Sequence, residues 1–165
     1  MINFTDIENT LKRLDSEYSS CTDSQMSILY SKLSVLELCG WIEISIDTLL
    51  YEYVDSKILD SDCKNRIKKI IRNCYGFHYD RNLFPLLCSV LGINNLENII
   101  YVLPSVNFQN FKAITNTYTN ERNNAAHTDT PFGTTRRYNA PSQVLNDFNL
   151  IKPGIQIIER EIKKL

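Results

Sequence analysis

The sequence predicts an all-α protein: a bundle of about five to seven helices, some of them long and antiparallel, in a single domain over residues 1–165. Apolar residues recur every three or four positions through most of the chain, and capping residues precede several of these stretches. No segment alternates strictly between apolar and polar side chains over the length of a strand. With 165 residues, 43% of them hydrophobic, the chain is long enough to bury a core.

The first two helices are predicted before residue 58. Thr5 and Glu8 have the spacing of a capping box, which begins a helix that ends near Ser20. Asp23 or Ser24 caps a second helix that is longer than most. Because apolar residues cover more than one side of this second helix, we expect its own bundle to bury one side and a second subunit the other. A central helix of a monomeric bundle is the alternative.

A third helix is predicted from a cap at Asp60 to an end at Gly76, with one apolar and one basic face. The basic face includes Lys68 and Lys69, which could contact RNA phosphates. More often such a face is simply solvated, so both interpretations stay open.

The second half of the chain continues the helical pattern. Short helices are expected at residues 83–91 and 96–103, separated by Gly92, followed by a helix from Phe108 toward Arg122. A last helix begins at residue 141. Within it, Pro153-Gly154 is expected to kink or interrupt the helix, because proline removes a backbone donor.

Composition excludes some classes of protein. A net charge of -1 excludes a protein that coats nucleic acid or membrane through overall charge, although a local basic cleft remains compatible. Five scattered cysteines without a C-x-x-C pair predict reduced thiols rather than a disulfide framework. No signal peptide and no apolar run of about 20 residues is recognisable, so we expect a soluble cytoplasmic protein without membrane association.

The densest chemistry lies in the stretch from Glu121 to His127. On a regular helix Asn123 and His127 share a face, whereas Arg122 lies roughly 140° around the axis from His127. The residue types suit a phosphodiester, because arginine binds phosphate through a fork of donors and histidine can transfer a proton near neutral pH. Alternatively, His127 caps the helix C-terminus and Arg122 pairs with Glu121 or Asp129 on the surface.

This stretch resembles a known family. Arg122-Asn123 followed by Ala126-His127, late in a helical chain, is similar to the signature of the HEPN superfamily. Residues 36–43 resemble the matching helix of its RiboL-PSP-HEPN branch. The resemblance implies a HEPN-like helical domain that dimerises and acts as a metal-independent endoribonuclease, without a cofactor, often as a toxin of a toxin-antitoxin pair or a phage-defence effector.

The same resemblance assigns roles to residues. Arg122 would hold the scissile phosphate, Asn123 would be the polar residue after it, and His127 would transfer a proton. Thr128 stands where glycine often follows the motif histidine. Cleavage of RNA by its own 2′-OH needs one group to accept a proton and another to donate one, whereas one motif has a single histidine. We therefore expect a composite site across a homodimer, in which a two-fold axis supplies the second motif.

The expected partners are RNA, a second copy of the chain, and an antitoxin or defence-system protein. Beside Lys68 and Lys69, the RNA-binding residues are expected to include Arg136 and Arg137. The alternative function is a catalytically silent helical module that binds an antitoxin or a larger defence subunit.

Other candidate sites are weaker. Cys74 and His78 have the spacing of two metal ligands on a helix, but no second pair accompanies them, so no metal is expected. Gly-rich phosphate loops and the G-x-S-x-G motif are absent from the sequence. Their absence argues against nucleotide hydrolases and α/β-hydrolases.

Overall fold

The computed structural model describes residues 2–127 and 138–165, with only the backbone of His127. In these two ranges, seven α-helices and one π-helical turn form the regular structure, and no strand occurs. The predicted all-α fold and helix number are therefore confirmed. The helices are α1 (Phe4–Ser20), α2 (Ser24–Lys57), α3 (Ser61–Arg72), α4 (Phe84–Leu91), α5 (Ile93–Val102), α6 (Ser105–His127) and α7 (Pro141–Lys164), and the π-helical turn, Tyr79–Leu83, leads directly into α4.

Short polar side chains begin the first three helices. Asp23 caps α2 and Asp60 caps α3, each by accepting a hydrogen bond from a free backbone N–H, as predicted. The predicted cap of α1 at Thr5 was wrong. Asn3 caps α1 instead, because its Oδ1 accepts hydrogen bonds from the backbone N–H groups of Thr5 and Asp6, both at 3.1 Å. Thr5 already lies inside the helix.

Helices α1 and α2 form an antiparallel pair. Only residues 21–23 connect them. The indole Nε1 of Trp41, in the middle of α2, donates a hydrogen bond of 2.9 Å to the backbone oxygen of Asn3, at the start of α1. Because the two helices are also close at their connection, α1 must run back along the first half of α2.

Helix α7 is antiparallel to α1. Lys152 pairs with Glu8 at 2.8 Å, and the backbone N–H of Ile2 donates to Glu159 Oε1 at 3.1 Å. Residue numbers therefore fall along α1 as they rise along α7. These two contacts hold the first part of α1, and Ile2 just before it, against α7.

Helix α7 is also antiparallel to α6. The hydroxyl of Tyr118 donates a hydrogen bond of 2.8 Å to Asp147. Farther along α7, a Cβ at Gly154 would lie 3.2 Å from the carbonyl oxygen of Asn107, near the start of α6. The predicted long antiparallel helices are thus present, and the absence of a side chain at Gly154 permits the close approach.

The predicted interruption of the last helix does not occur. Helix α7 runs through Pro153 without a break. Ile151 and Ile155, on either side of it, are fully buried. Packing of this face against the core offsets the backbone hydrogen bond that proline removes.

The end of α3 also differs from the prediction. The helix ends at Arg72 rather than at Gly76, and the N–H of Asn73 donates the closing hydrogen bond, of 3.1 Å, to the carbonyl of Lys69. Gly76, with φ of 95°, lies in the segment of residues 73–78 that follows. Its positive φ is needed for the turn in this segment and not for the helix end.

Only one side of α2 is covered by the rest of the chain. Its buried side includes Leu38, Ile42 and Leu50, which are fully inaccessible to solvent. The other side carries an exposed row, here called the α2 apolar line, whose members Met26, Leu29, Leu33 and Ile44 are 39%, 48%, 42% and 67% exposed. The second side that the sequence led us to expect to be buried by a partner is thus open only in part, because the single chain fully buries Val35 and Leu38 and leaves Ile44 exposed.

Within the described ranges, no single helix is both long and apolar enough to cross a membrane. Two successive helical stretches, Tyr79–Leu91 and Ile93–Val102, have the required length and apolar composition only when taken together, and they are bent by 116° relative to each other.

Candidate functional site

Arg122 lies near the end of α6 and reaches across to α2. Its Nη2 is 3.2 Å from Oε2 of Glu43. The alternative that Arg122 pairs with Glu121 is therefore wrong, and Asp129, the other expected partner, lies outside the described residues. The ion pair joins residues 36–43 to the motif at the end of α6, the two stretches that carry the family resemblance.

Packing between α2 and α6 explains why these two side chains meet. One turn before each of them, the Sγ of Cys39 on α2 lies 3.6 Å from the backbone oxygen of Tyr118 on α6. Both ion-pair partners are partly exposed, so the pair contributes only about 0–1 kcal/mol to stability. Its main effect is to hold the Arg122 guanidinium at a fixed place on the surface of α2.

A cleft of about 300 Å³ opens beside this ion pair, and we call it the Arg122 cleft. It lies between α2, the end of α3 and the segment that follows α3. Charged groups of both signs and partly apolar walls are typical of sites that bind a polar ligand. Its lining consists of Glu43, Ile44, Ile46, Asp47, Arg72, Cys74, Tyr75, Gly76, Phe77, Leu83, Leu86 and Arg122.

Asp47 is the side chain in the Arg122 cleft that is best suited to accept a proton. It follows Glu43 by one helical turn on α2. Burial, and then the negative charge of Glu43, together raise the pKa of Asp47 to about 6. At neutral pH Asp47 is mostly charged, yet it accepts a proton far more readily than an ordinary aspartate.

Neither carboxylate was predicted as a site residue, although Glu43 lies in the stretch of residues 36–43. Glu43 and Asp47 are spaced i, i+4 on a helix that is otherwise strongly apolar. That pattern could have predicted a functional site, because two carboxylates one turn apart on a buried helix rarely stabilise the fold.

The cysteines near the Arg122 cleft are poor nucleophiles. Burial, followed by the charge of Glu43, raises the pKa of Cys39 to about 12. Burial, and then the charges of Asp47 and Glu43, also raise the pKa of Cys74. Both therefore remain thiols at neutral pH.

The other two residues of the motif are Asn123 and His127. Asn123 is exposed on α6, next to Arg122. The backbone of His127 forms the last residue of α6, whereas its side chain lies outside the described atoms. Arg136 and Arg137 also lie outside the described residues, so their predicted role in RNA binding stays a prediction.

The two predicted lysines on α3 differ in their surroundings. Lys68 lies 2.7 Å from Asp55 on α2, and its ammonium is 6.0 Å from the centre of the Tyr51 ring. Contact between Lys68 and RNA would therefore compete with Asp55. Lys69 is exposed and makes no ion pair with a described residue.

Cys74 and His78 do not form part of a larger metal-ligand cluster. Within the described part of the chain, no group of three His, Cys, Asp or Glu side chains is arranged to hold a metal ion. The thiol of Cys74 is directed to backbone oxygens instead, at 3.9 Å from Gly76 and 3.8 Å from Asn82.

The described residues thus bring together two arginines and two carboxylates at one cleft, next to the end of α6, and one of the carboxylates, Asp47, has a raised pKa. Such a set can bind an anion and move a proton. It includes Arg122, the first residue of the predicted motif, and adds Asp47 and Arg72 to it. Comparison of this chain with protein-family models, with curated proteins and with solved structures gave no match.

Proposed function

We propose that the protein is a metal-independent endoribonuclease of the HEPN type, which acts as a homodimer. The observation that carries the proposal is the Glu43–Arg122 ion pair at the Arg122 cleft. It places the arginine of the motif beside a cleft with a proton-accepting carboxylate, rather than on an open surface. A phosphodiester is a suitable ligand for such a site.

The proposed reaction is attack of the RNA 2′-OH on the adjacent phosphate. The 2′ oxygen forms a bond to phosphorus, the bond to the 5′ oxygen breaks, and a 2′,3′-cyclic phosphate and a 5′-OH result. Asp47 is the candidate to accept the proton from the 2′-OH, and His127 the candidate to donate one to the leaving 5′ oxygen. Arg122 would stabilise the negative charge that develops on the phosphate oxygens.

Asp47 changes the reason for proposing a dimer. The count of proton-transfer groups no longer requires a second His127, because Asp47 can supply the acceptor within one chain. The α2 apolar line now provides the support. Its last member, Ile44, also lines the Arg122 cleft, so a second subunit on this line would lie beside the site.

The test is cleavage of total RNA by the purified protein in the presence of a chelator. We expect cleavage by the wild type, a loss of about a hundredfold or more for His127→Ala and Arg122→Ala, and 2′,3′-cyclic phosphate ends. Lys12→Ala, a change on the distant helix α1, is the matched control and should cleave like the wild type. Absence of cleavage by dimeric wild-type protein would reject the proposed activity.

Salt provides a second check on the same assay. Because the net charge is -1, binding to RNA must rely on local cations at the site rather than on the whole surface. We expect activity to fall steeply as salt rises, since each phosphate contact releases counterions. A flat salt response would argue against phosphate binding by these arginines.

The second candidate is a catalytically silent module that binds a partner protein, such as an antitoxin or a larger defence subunit. The α2 apolar line favours it, because an exposed apolar helix face suits a partner helix as well as a second copy. Expression in cells separates the two candidates. Toxicity that His127→Ala abolishes supports the ribonuclease, whereas equal growth with both forms supports the module.

A further inference from the structure

Next to the Arg122 cleft lies a second, more open depression of about 560 Å³, here called the outer groove. The two share Cys74, Tyr75 and Leu86 in their walls. They therefore adjoin each other at the segment that links α3 to α4. Tyr75 stands at the boundary between them.

Tyr75 is an unusually exposed aromatic residue on a firmly held backbone. Its side chain is 82% exposed, whereas Phe77, two residues later, is fully buried and anchors the segment in the core. The backbone oxygen of Tyr75 accepts a hydrogen bond of 3.1 Å from Asn82 Nδ2. Among the described residues, no other aromatic ring packs against Tyr75. A ring held outward in this way offers an open face to a ligand.

One arginine lies on each side of this ring. Arg72 lines the Arg122 cleft and Arg81 lines the outer groove, and both are exposed. Neither makes an ion pair with any residue in the described part of the chain. Lys68, by contrast, is paired with Asp55. Two arginines without an ion-pair partner among the described residues therefore flank Tyr75.

The outer groove has the polarity of a nucleic-acid site. No carboxylate lines it, and Asn73, Asn82 and Ser89 supply neutral hydrogen-bonding groups next to Arg81. Proteins that bind single strands combine cations that follow the phosphates with an aromatic ring on which a base stacks. A duplex cannot use such a ring, because its bases are already stacked on each other.

We propose that the outer groove binds single-stranded RNA, with a base stacked on Tyr75, phosphates held by Arg72 and Arg81, and the strand continuing into the Arg122 cleft. The placement rests on the proposed ribonuclease function, because it leads the strand toward Arg122. The RNA-binding groove itself does not depend on cleavage. The substrate class that follows is unpaired RNA.

The test is binding of a fluorescein-labelled 2′-O-methyl oligouridylate, which cannot be cleaved because its 2′ oxygen carries no proton, followed by fluorescence polarisation. We expect Tyr75→Ala to weaken binding about tenfold and Tyr75→Phe to retain it, as stacking requires. Tyr101→Ala is the matched control, since Tyr101 is 90% exposed on α5 and lines neither opening. Arg72→Ala and Arg81→Ala should each weaken binding and reduce the salt dependence, whereas Arg66→Ala should not.

Equal binding by Tyr75→Ala and Tyr101→Ala would overturn the inference, as would equal competition by a duplex of the same length. Cleavage of total RNA, measured in parallel, keeps this outcome separate from the proposed function. Equal binding by the two variants in a protein that still cleaves RNA overturns the groove alone. Binding that depends on Tyr75 in a protein without cleavage supports the groove and rejects the ribonuclease.

Discussion

Asp47 is the residue at which function and stability are expected to conflict. A half-buried carboxylate beside a second carboxylate is unfavourable once it is ionised. Burial and Glu43 raise the pKa of Asp47 from 3.8 to about 6. Because the folded pKa is above the ordinary value, the folded state binds the proton more tightly than the unfolded state does. Stability must therefore fall as pH rises between about 4 and about 6, and stay lowered above that range.

The first prediction for Asp47 concerns stability. We expect Asp47→Asn to increase the free energy of unfolding at about pH 7.5 by about 1 kcal/mol, a value reduced because the side chain is only half-buried. The gain should disappear below about pH 4, where the carboxyl is protonated in both states. Urea denaturation at the two pH values measures it. The exposed Glu97→Gln is the control, and an equal gain for both variants would contradict the assigned environment of Asp47.

The same substitution should have the opposite effect on activity. If Asp47 accepts the 2′-OH proton, Asp47→Asn loses RNA cleavage while it gains stability, which is the pattern expected of a functional residue in an unfavourable setting. Wild-type activity should rise with pH through about 6, as the carboxylate ionises. A stabilised variant with full activity would remove Asp47 from the mechanism.

Single residues also show how far the sequence could predict the site. Asp23 and Asp60 were recognisable as caps because capping depends only on the next few residues. The contact between Glu43 and Arg122 was not predictable from spacing, because 79 residues separate them and only the packing of α2 on α6 brings them together. Arg122 was found through its motif, whereas its partner required the fold.

The helices themselves were predicted from apolar periodicity, whereas several of their boundaries differ from the prediction by a few residues. Gly76 was interpreted as a helix end and Pro153 as a kink or an interruption, in accordance with their local preferences. In the structure, Gly76 serves a turn beyond α3, and Pro153 is kept inside α7 by the packing of its neighbours. Tertiary packing overrode these local preferences, and the neighbouring sequence contains no signal that reveals such packing.

Two glycines inside helices make a direct test of this packing. At Gly154, an added Cβ would lie 3.2 Å from the carbonyl oxygen of Asn107 and 3.4 Å from Cβ of Phe111. At Gly40, on α2, an added Cβ would meet no atom within 4 Å. We expect Gly154→Ala to destabilise the protein by about 1–2 kcal/mol through crowding. We expect Gly40→Ala to stabilise it by about 0.5–1 kcal/mol through helix propensity.

Thermal or urea denaturation of the two variants measures this difference. The pair is well matched, because both changes add one methyl group to the interior of a long helix. Equal stability of the two variants would show that α6 and α7 do not approach each other as closely at Gly154 as the structure indicates.

For the molecule as a whole, α2 carries both the α2 apolar line and part of the wall of the Arg122 cleft. The α2 apolar line occupies the side of the helix that the chain leaves uncovered, and it ends at the Arg122 cleft. A homodimer through this line would bury it and bring two clefts close together. Association and catalysis would then depend on neighbouring residues of one helix.

We expect the wild type to have twice the mass of the 19.1 kDa chain in light scattering, and Leu33→Glu to have the mass of one chain. Ile93→Glu is the control, because Ile93 is 55% exposed on α5, away from the α2 apolar line. A wild type of single-chain mass, or dissociation by both changes alike, would exclude this interface.

Mixing inactive subunits tests whether the site is shared. If one site uses Arg122 of one subunit and His127 of the other, a dimer of Arg122→Ala with His127→Ala retains one intact site. Each heterodimer should then have about half of the wild-type activity, and an equal mixture with random pairing about a quarter, although each variant alone is inactive. No recovery would place each site within a single chain.

The position of the single tryptophan provides a convenient optical reporter. Trp41 lies between the rings of Phe4 and Phe148, with ring centres 5.5 Å and 5.3 Å away, and so samples α1, α2 and α7 together. It lines neither the Arg122 cleft nor the outer groove. Its emission should change when these three helices separate and stay constant when Tyr75 or Asp47 is replaced. Intrinsic fluorescence therefore distinguishes a variant that has lost its fold from one that has lost only its ligand.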